Sequence, residues 1–173
     1  MTDRQRELLQ MIEDAFRGVE LGDGVSLHES AVIDDYGTLE ERRVARVPDE
    51  KRDWHKAMLE PDLPRLFDIG CGVLSFLDAQ GMRFYLPACL MLLVGDHDND
   101  LYGNMFESLE FQLTCLGDYN RERFDILNTI QRQCVCEVLT YLRDSMEDLE
   151  FEPRFRTNEI NHAIDGYWSL PHA

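Results

Sequence analysis

Leu8, Ile12, Ala15, Phe16 and Val19 recur at the spacing of one helical face. The chain is therefore expected to open with a helix from about Arg4 to Val19, capped by Thr2 or Asp3. Gly18, Gly22 and Gly24 interrupt the pattern, and residues 22–37 are too rich in turn formers for a long helix. Thr38-Leu39-Glu40-Glu41 has the form of a capping box and predicts a second helix that Pro48 ends. Pro61 or Pro64 suits the first turn of a helix running towards Leu77, a reading weakened by Gly70 and Gly72. Residues 73–86 admit a hairpin, with Asp78 to Gly81 as its turn, or a helix. Pro87 suits the first turn of a helix reaching Val94. Further on, Leu109, Phe111, Leu113 and Cys115 alternate like a strand, while Phe106, Leu109, Leu113 and Leu116 step like a helix.

The clearest periodicity comes late. With Asn120 as N-cap, Phe124, Leu127, Ile130, Cys134, Val138, Leu142, Met146 and Leu149 predict an amphipathic helix of about 25 to 30 residues, stopped by Pro153. A last short helix is expected from about Asn158 to Trp168, with Ile160, Ala163, Ile164 and Tyr167 on one face. The fold class expected is mainly α: a single compact helical domain over residues 1–173, with one long late helix as its spine and, on one of the two readings, a short β-hairpin near residues 73–86.

Composition narrows the chemistry more than the fold. The chain has 173 residues, 44% hydrophobic and 29% charged, which is a globular balance. Seventeen Lys and Arg against 34 Asp and Glu give a formal charge of −17. That charge argues against nucleic acid and against anionic membrane surfaces, since both are bound through cations. Five cysteines at irregular spacing form neither a disulfide framework nor a zinc pattern, and are expected as free thiols in the core. The N-terminal stretch lacks the apolar segment of a signal peptide, so a cytoplasmic location is expected.

Residues Phe76 to Ala88 read FLDAQGMRFYLPA. This stretch resembles the signature of an uncharacterised bacterial family of unknown function, whose members read roughly FLDxxGxRFYLPA. Asp34 to Gly37, Trp54 and the pair Gln131-Arg132 match further features of that family. The resemblance spans roughly residues 5–145 and implies a soluble bacterial domain with no assigned activity. Within the motif, Asp78, Gly81, Arg83, Tyr85 and Pro87 are read as structural, with Arg83 expected to pair with Asp78, Asp34 or Asp35.

Two constellations could carry chemistry. Counting from Asp96, oxygen-bearing side chains fall at positions 1, 3, 5, 9 and 12 (Asp96, Asp98, Asp100, Asn104 and Glu107), as in an EF-hand loop. Position 6, however, is Leu101 instead of glycine. The second set is His28, Glu29, Asp34 and Asp35, with His55 beyond, but no two histidines have the spacing of ligands on one helix face. Nucleophile elbows and phosphate-binding glycine loops are missing. No catalytic residue, metal ligand or cofactor is therefore assigned.

Charge distribution is the remaining clue. Gly18 to Glu41 holds seven acids and no Lys or Arg, and Phe84 to Asn120 holds six acids and again no Lys or Arg. Two such stretches on one face would steer a basic partner to fast association. The function expected is that of a non-enzymatic acidic binding protein, such as an immunity protein or antitoxin masking a basic toxin, for example a nuclease. Its expected contacts are Asp34, Asp35, Tyr36, Asp96, Asp98, Asp100, Tyr102 and Glu107. The alternative is a divalent-metal-binding protein or small metal-dependent enzyme built on the Asp/His clusters.

Overall fold

The computed structural model describes residues 1–57, 59, 66, 73–95, 103–147 and 153–171. Among them are nine α-helices and no strand: α1 (Asp3–Ala15), α2 (Leu27–Asp34), α3 (Leu39–Arg46), α4 (Trp54–Ala57), α5 (Ala79–Gly95), α6 (Gly103–Thr114), α7 (Asp118–Phe124), α8 (Thr129–Glu147) and α9 (Pro153–Ala163). A 3-10 turn, Val73–Phe76, precedes α5, and a π-turn, Ile164–Trp168, follows α9. The mainly helical expectation holds. The expected helix from Pro61 or Pro64 lies mostly outside the described residues.

The early helices start where their sequences say. Thr2 and Gln5 cap α1 reciprocally, and Thr38 and Glu41 do the same for α3. Each such box satisfies two of the N–H groups that a helix start leaves without partners.

The hairpin reading of residues 73–86 is overturned, because these residues form the 3-10 turn and the first half of α5. Eleven of the 17 residues of α5 are buried, so it is apolar all round and shows no one-sided period to read. It packs against α1, α4, α6 and α7 and is the central helix of the fold. Pro87 lies inside it and not in a first turn. There its missing N–H leaves the Arg83 carbonyl without an intrahelical donor.

The long late helix is corrected as well. Its pattern is split between α7 and the 19-residue α8, with a turn between them. Asn128 is the residue that starts α8. Its side chain accepts from the Gln131 N–H (2.9 Å), and the Gln131 side chain accepts from the Asn128 N–H (3.2 Å). Asn120 instead points at the end of α6, donating to the Cys115 carbonyl at 2.6 Å. Pro153 opens α9 where it was expected only to stop the preceding helix.

The FLDAQGMRFYLPA residues dock α5 onto the start of α2. The Asp78 carboxylate caps α5 by accepting from the Gly81 N–H (2.8 Å), and it also accepts from the Val25 N–H (2.9 Å). Tyr85, one turn beyond Gly81, accepts from the Leu27 N–H (3.4 Å) with its hydroxyl oxygen. Gly81 is required by proximity, since a Cβ there would stand 2.3 Å from the Val25 carbonyl oxygen. Arg83 makes no ion pair with Asp78, Asp34 or Asp35, and its buried Nε has no hydrogen-bond partner among the described residues. The Asp78 carboxylate that was to receive it is occupied by backbone donors.

α2 ends in a Schellman motif. The Gly37 N–H reaches the Val32 carbonyl (2.8 Å) and the Tyr36 N–H reaches that of Ile33 (3.1 Å). The left-handed position of that motif is held by Tyr36, at φ 57°, with its side chain 95% exposed. Tyrosine is strained there and gains no packing in return.

These two backbone sites predict substitutions of opposite sign. Tyr36→Gly should stabilise the fold by about 1 kcal/mol, the left-handed strain relieved less the added chain entropy of glycine. Gly81→Ala should destabilise it by about 1–3 kcal/mol through overpacking against Val25. Urea unfolding of both variants measures the pair, and equal signs would contradict the backbone argument.

Candidate functional site

The groove between α6 and α9 brings ionisable groups of both signs together on facing helices. α6 buries Met105, Leu109, Gln112 and Leu113, which turns Glu107, Glu110, Phe111 and Thr114 to its other side. On α9, Arg156, Glu159 and His162 recur every three residues and face them. Together with Cys115 they line a cleft of about 370 Å³. A second hollow of about 240 Å³ adjoins it, shares Phe111 and Cys115, and extends to Ser75 and Tyr119. Phe111 and Tyr119 are each 57% exposed, so the groove has two accessible rings.

Its electrostatics are unbalanced. Arg156 stands 3.4 Å from Glu107 and 3.6 Å from Glu110, one guanidinium between two carboxylates. Glu159 adds a third carboxylate to the lining. Burial pushes the Glu110 carboxyl above its ordinary range; Arg156 opposes this, and Glu159 and Glu107 reinforce it. His162 donates from Nδ1 to the Asn158 carbonyl at 2.7 Å, which fixes its tautomer and leaves Nε2 an acceptor in the neutral ring.

The floor of the second hollow is held by a buried arginine with no carboxylate. Arg123 donates to the carbonyls of Leu74 (2.7 Å) and Leu77 (3.2 Å) and to the side chains of Gln112 and Asn120. Gln112 passes the connection to Ser75 Oγ at 2.8 Å. Burial lowers the Arg123 pKa, with Tyr119 acting in the opposite sense. Neutral acceptors take the two terminal nitrogens of Arg123, its buried Nε has no hydrogen-bond partner, and among the described residues no acid is neutralised there.

The residues singled out from sequence are distributed differently. Asp96, Asp98, Asp100 and Tyr102 lie outside the described residues. Asp34, Asp35 and Tyr36 sit at the end of α2, which packs on α3 and the 3-10 turn, whereas Glu107 belongs to the α6–α9 groove. The histidine set does not assemble into one site. His28 binds the buried Asp49 through Nδ1 and its backbone N–H. Glu29 pairs with Arg46 at 3.2 Å. His55 bridges Glu13 (2.8 Å) and Asp53 (2.9 Å) while stacked on Trp54. Burial lowers the His55 pKa, but the two carboxylates outweigh that and raise it overall.

No three His, Cys, Asp or Glu side chains among the described residues converge on a point that could hold a metal ion. Burial pushes the Cys89 and Cys134 thiols up to about 12, as for small core hydrophobes. Sequence reasoning missed Glu110, Phe111, Arg156, Glu159 and His162. Their signal was the three- and four-residue spacing of polar groups opposite the apolar stripes of α6 and α9. It becomes a site only once those helices face each other.

The fold and groove define a mainly helical chain of net charge −17 in which no described helix is long and apolar enough to cross a membrane. The chain belongs to DUF6714, a family of unknown function whose profile matches residues 4–170. No curated protein and no solved structure matches it.

The raised Glu110 pKa has a definite sign. The folded state holds that proton more tightly than the unfolded chain, so Glu110 costs stability as pH rises from about 4.5 through its raised value. Glu110→Gln should therefore raise the melting temperature at about pH 7 and give no gain below about pH 4. A lower melting temperature for the variant at neutral pH would contradict this.

Proposed function

We propose that this protein is a non-enzymatic acidic binding protein whose α6–α9 groove receives cationic side chains of a basic protein partner. The role that fits is masking of a basic toxin, for example a nuclease, in the manner of an immunity protein or antitoxin. The observation that carries this reading is the shortage of positive charge in the groove: three glutamates share one arginine, and burial with the neighbouring Glu159 and Glu107 pushes the Glu110 carboxyl above its ordinary range. A guest guanidinium or ammonium would supply the missing countercharge, and Phe111 offers an aromatic face for it. The field of a chain at −17 would speed the encounter. Asp34 and Asp35 join this reading as outlying charges that affect approach more than residence.

The test is a pull-down from native cell lysate at low and high salt, followed by titration of the purified partner. The expected result is one stoichiometric basic protein whose affinity falls with salt. The triple variant E107Q/E110Q/E159Q should lose about tenfold or more in affinity. An empty bait at low salt, an acidic partner, or a triple variant that binds normally would overturn the proposal.

A further inference from the structure

Two hollows meet along α6, and their chemistry differs. At 100° per residue, Glu107, Glu110 and Thr114 form one row of this helix. Phe111 and Cys115 form the next row, and Gln112 lies beyond them. The 370 Å³ cleft takes the acid row, whereas the 240 Å³ hollow continues past Gln112 to Ser75 and Tyr119. Phe111 and Cys115 line both spaces, so the two share a wall.

In the second hollow each polar side chain already has a partner inside the protein. Gln112 accepts from Arg123 and donates to Ser75 Oγ at 2.8 Å. Asn120 accepts from Arg123 and donates to the Cys115 carbonyl at 2.6 Å. The Tyr119 hydroxyl donates to the Ser75 carbonyl at 2.8 Å. A polar guest would give up water there for little in return. A cationic guest is opposed further, because the Arg123 guanidinium lies over the Tyr119 ring at 4.7 Å and no carboxylate lines the hollow among the described residues. What the hollow does offer is the exposed rings of Phe111 and Tyr119, which suit a neutral aromatic guest.

We infer that the groove recognises two side chains together: a cation in the acidic cleft, and a neutral aromatic ring in the adjoining hollow against Phe111 and Tyr119. In an extended chain, residues i and i+2 point to the same side about 7 Å apart, which suits two spaces with a common wall. The segment recognised is therefore of the type Arg-x-Phe or Phe-x-Arg. This inference rests on the groove being a receptor for a partner's positive charge, and it adds what must stand beside that charge. Many basic surfaces could enter the acidic cleft, and the second anchor is what discriminates among them.

The test is titration of the full chain with capped pentapeptides, Gly-Arg-Gly-Phe-Gly and Gly-Phe-Gly-Arg-Gly, whose blocked ends carry no charge. The tighter of the two should bind about tenfold better than its counterpart with Ala for Phe, the effect of partly burying one aromatic ring. Replacing its Arg by Gln should cost about tenfold as well. Backbone amides of Gly117 and Tyr119 should shift with the Phe peptides and not with the Ala ones. In Tyr119→Ala the preference for Phe over Ala should fall to about twofold or less. If arginine peptides bind in the acidic cleft but Phe adds nothing, or leaves Gly117 and Tyr119 unmoved, the paired recognition is overturned while the cation receptor stands. If no arginine peptide binds, or the Gln peptide binds equally well, the cation receptor fails and the pairing fails with it.

Discussion

The constraint on which the architecture depends is the supply of hydrogen-bond donors to buried helix ends. Each helix leaves up to four terminal carbonyls without partners, and a buried one left unsatisfied costs about 1–3 kcal/mol. Side chains from elsewhere in the fold meet this need. Gln131 donates to Ala15 and Trp54 to Phe16, both at the end of α1. Gln5 donates to Val94 at the end of α5, and Trp168 to Leu113 at the end of α6. Asn120 reaches Cys115, Arg123 reaches Leu74 and Leu77, and Arg132 reaches Tyr167. These bonds fix which helix end sits against which neighbour, something that apolar contact alone specifies loosely.

A consequence for charge follows. Arg123 and Arg132 are buried, yet Arg123 serves carbonyls, amides and an aromatic face and Arg132 a carbonyl and aromatic faces, with no carboxylate on either among the described residues. These two cations are therefore removed from the surface without a carboxylate paired to either, while the buried acid Asp49 is held by His28 instead. What remains outside is strongly negative, and in the α6–α9 groove three glutamates share one arginine. Glu110 there and Tyr36 at the end of α2 both sit in states that cost stability. Residues of that kind mark surfaces on which something other than stability sets the side chain.

The starts of α1 and α3 were legible in the sequence because capping is a local device: Thr2 as N-cap, and Thr38 with Glu41, need no knowledge of the rest of the fold. The central helix was not legible, since α5 is buried on nearly every side and a helix without a polar face has no period to detect. The split between α7 and α8 was hidden for the opposite reason. Apolar spacing runs unbroken from Phe124 to Ile130, and only the reciprocal bonds between Asn128 and Gln131 reveal a new start. The motif residues Asp78 and Gly81 acquire their meaning from Val25, more than fifty residues away. In the same way, Glu110 and His162 belong to one groove only because α9 returns to α6. Charge runs alone suggested Asp34 and Glu107 as parts of one face, whereas the fold assigns them to different helices with different neighbours.

The account rests on the acid-lined groove being a specific receptor for positive charge and not merely part of a negative surface. Backbone amide shifts during titration with an arginine-rich peptide test this most directly. The largest changes should fall at Phe111, Thr114, Cys115 and His162, with small ones elsewhere. Changes spread evenly over the acidic surface, or none in the groove, would contradict it.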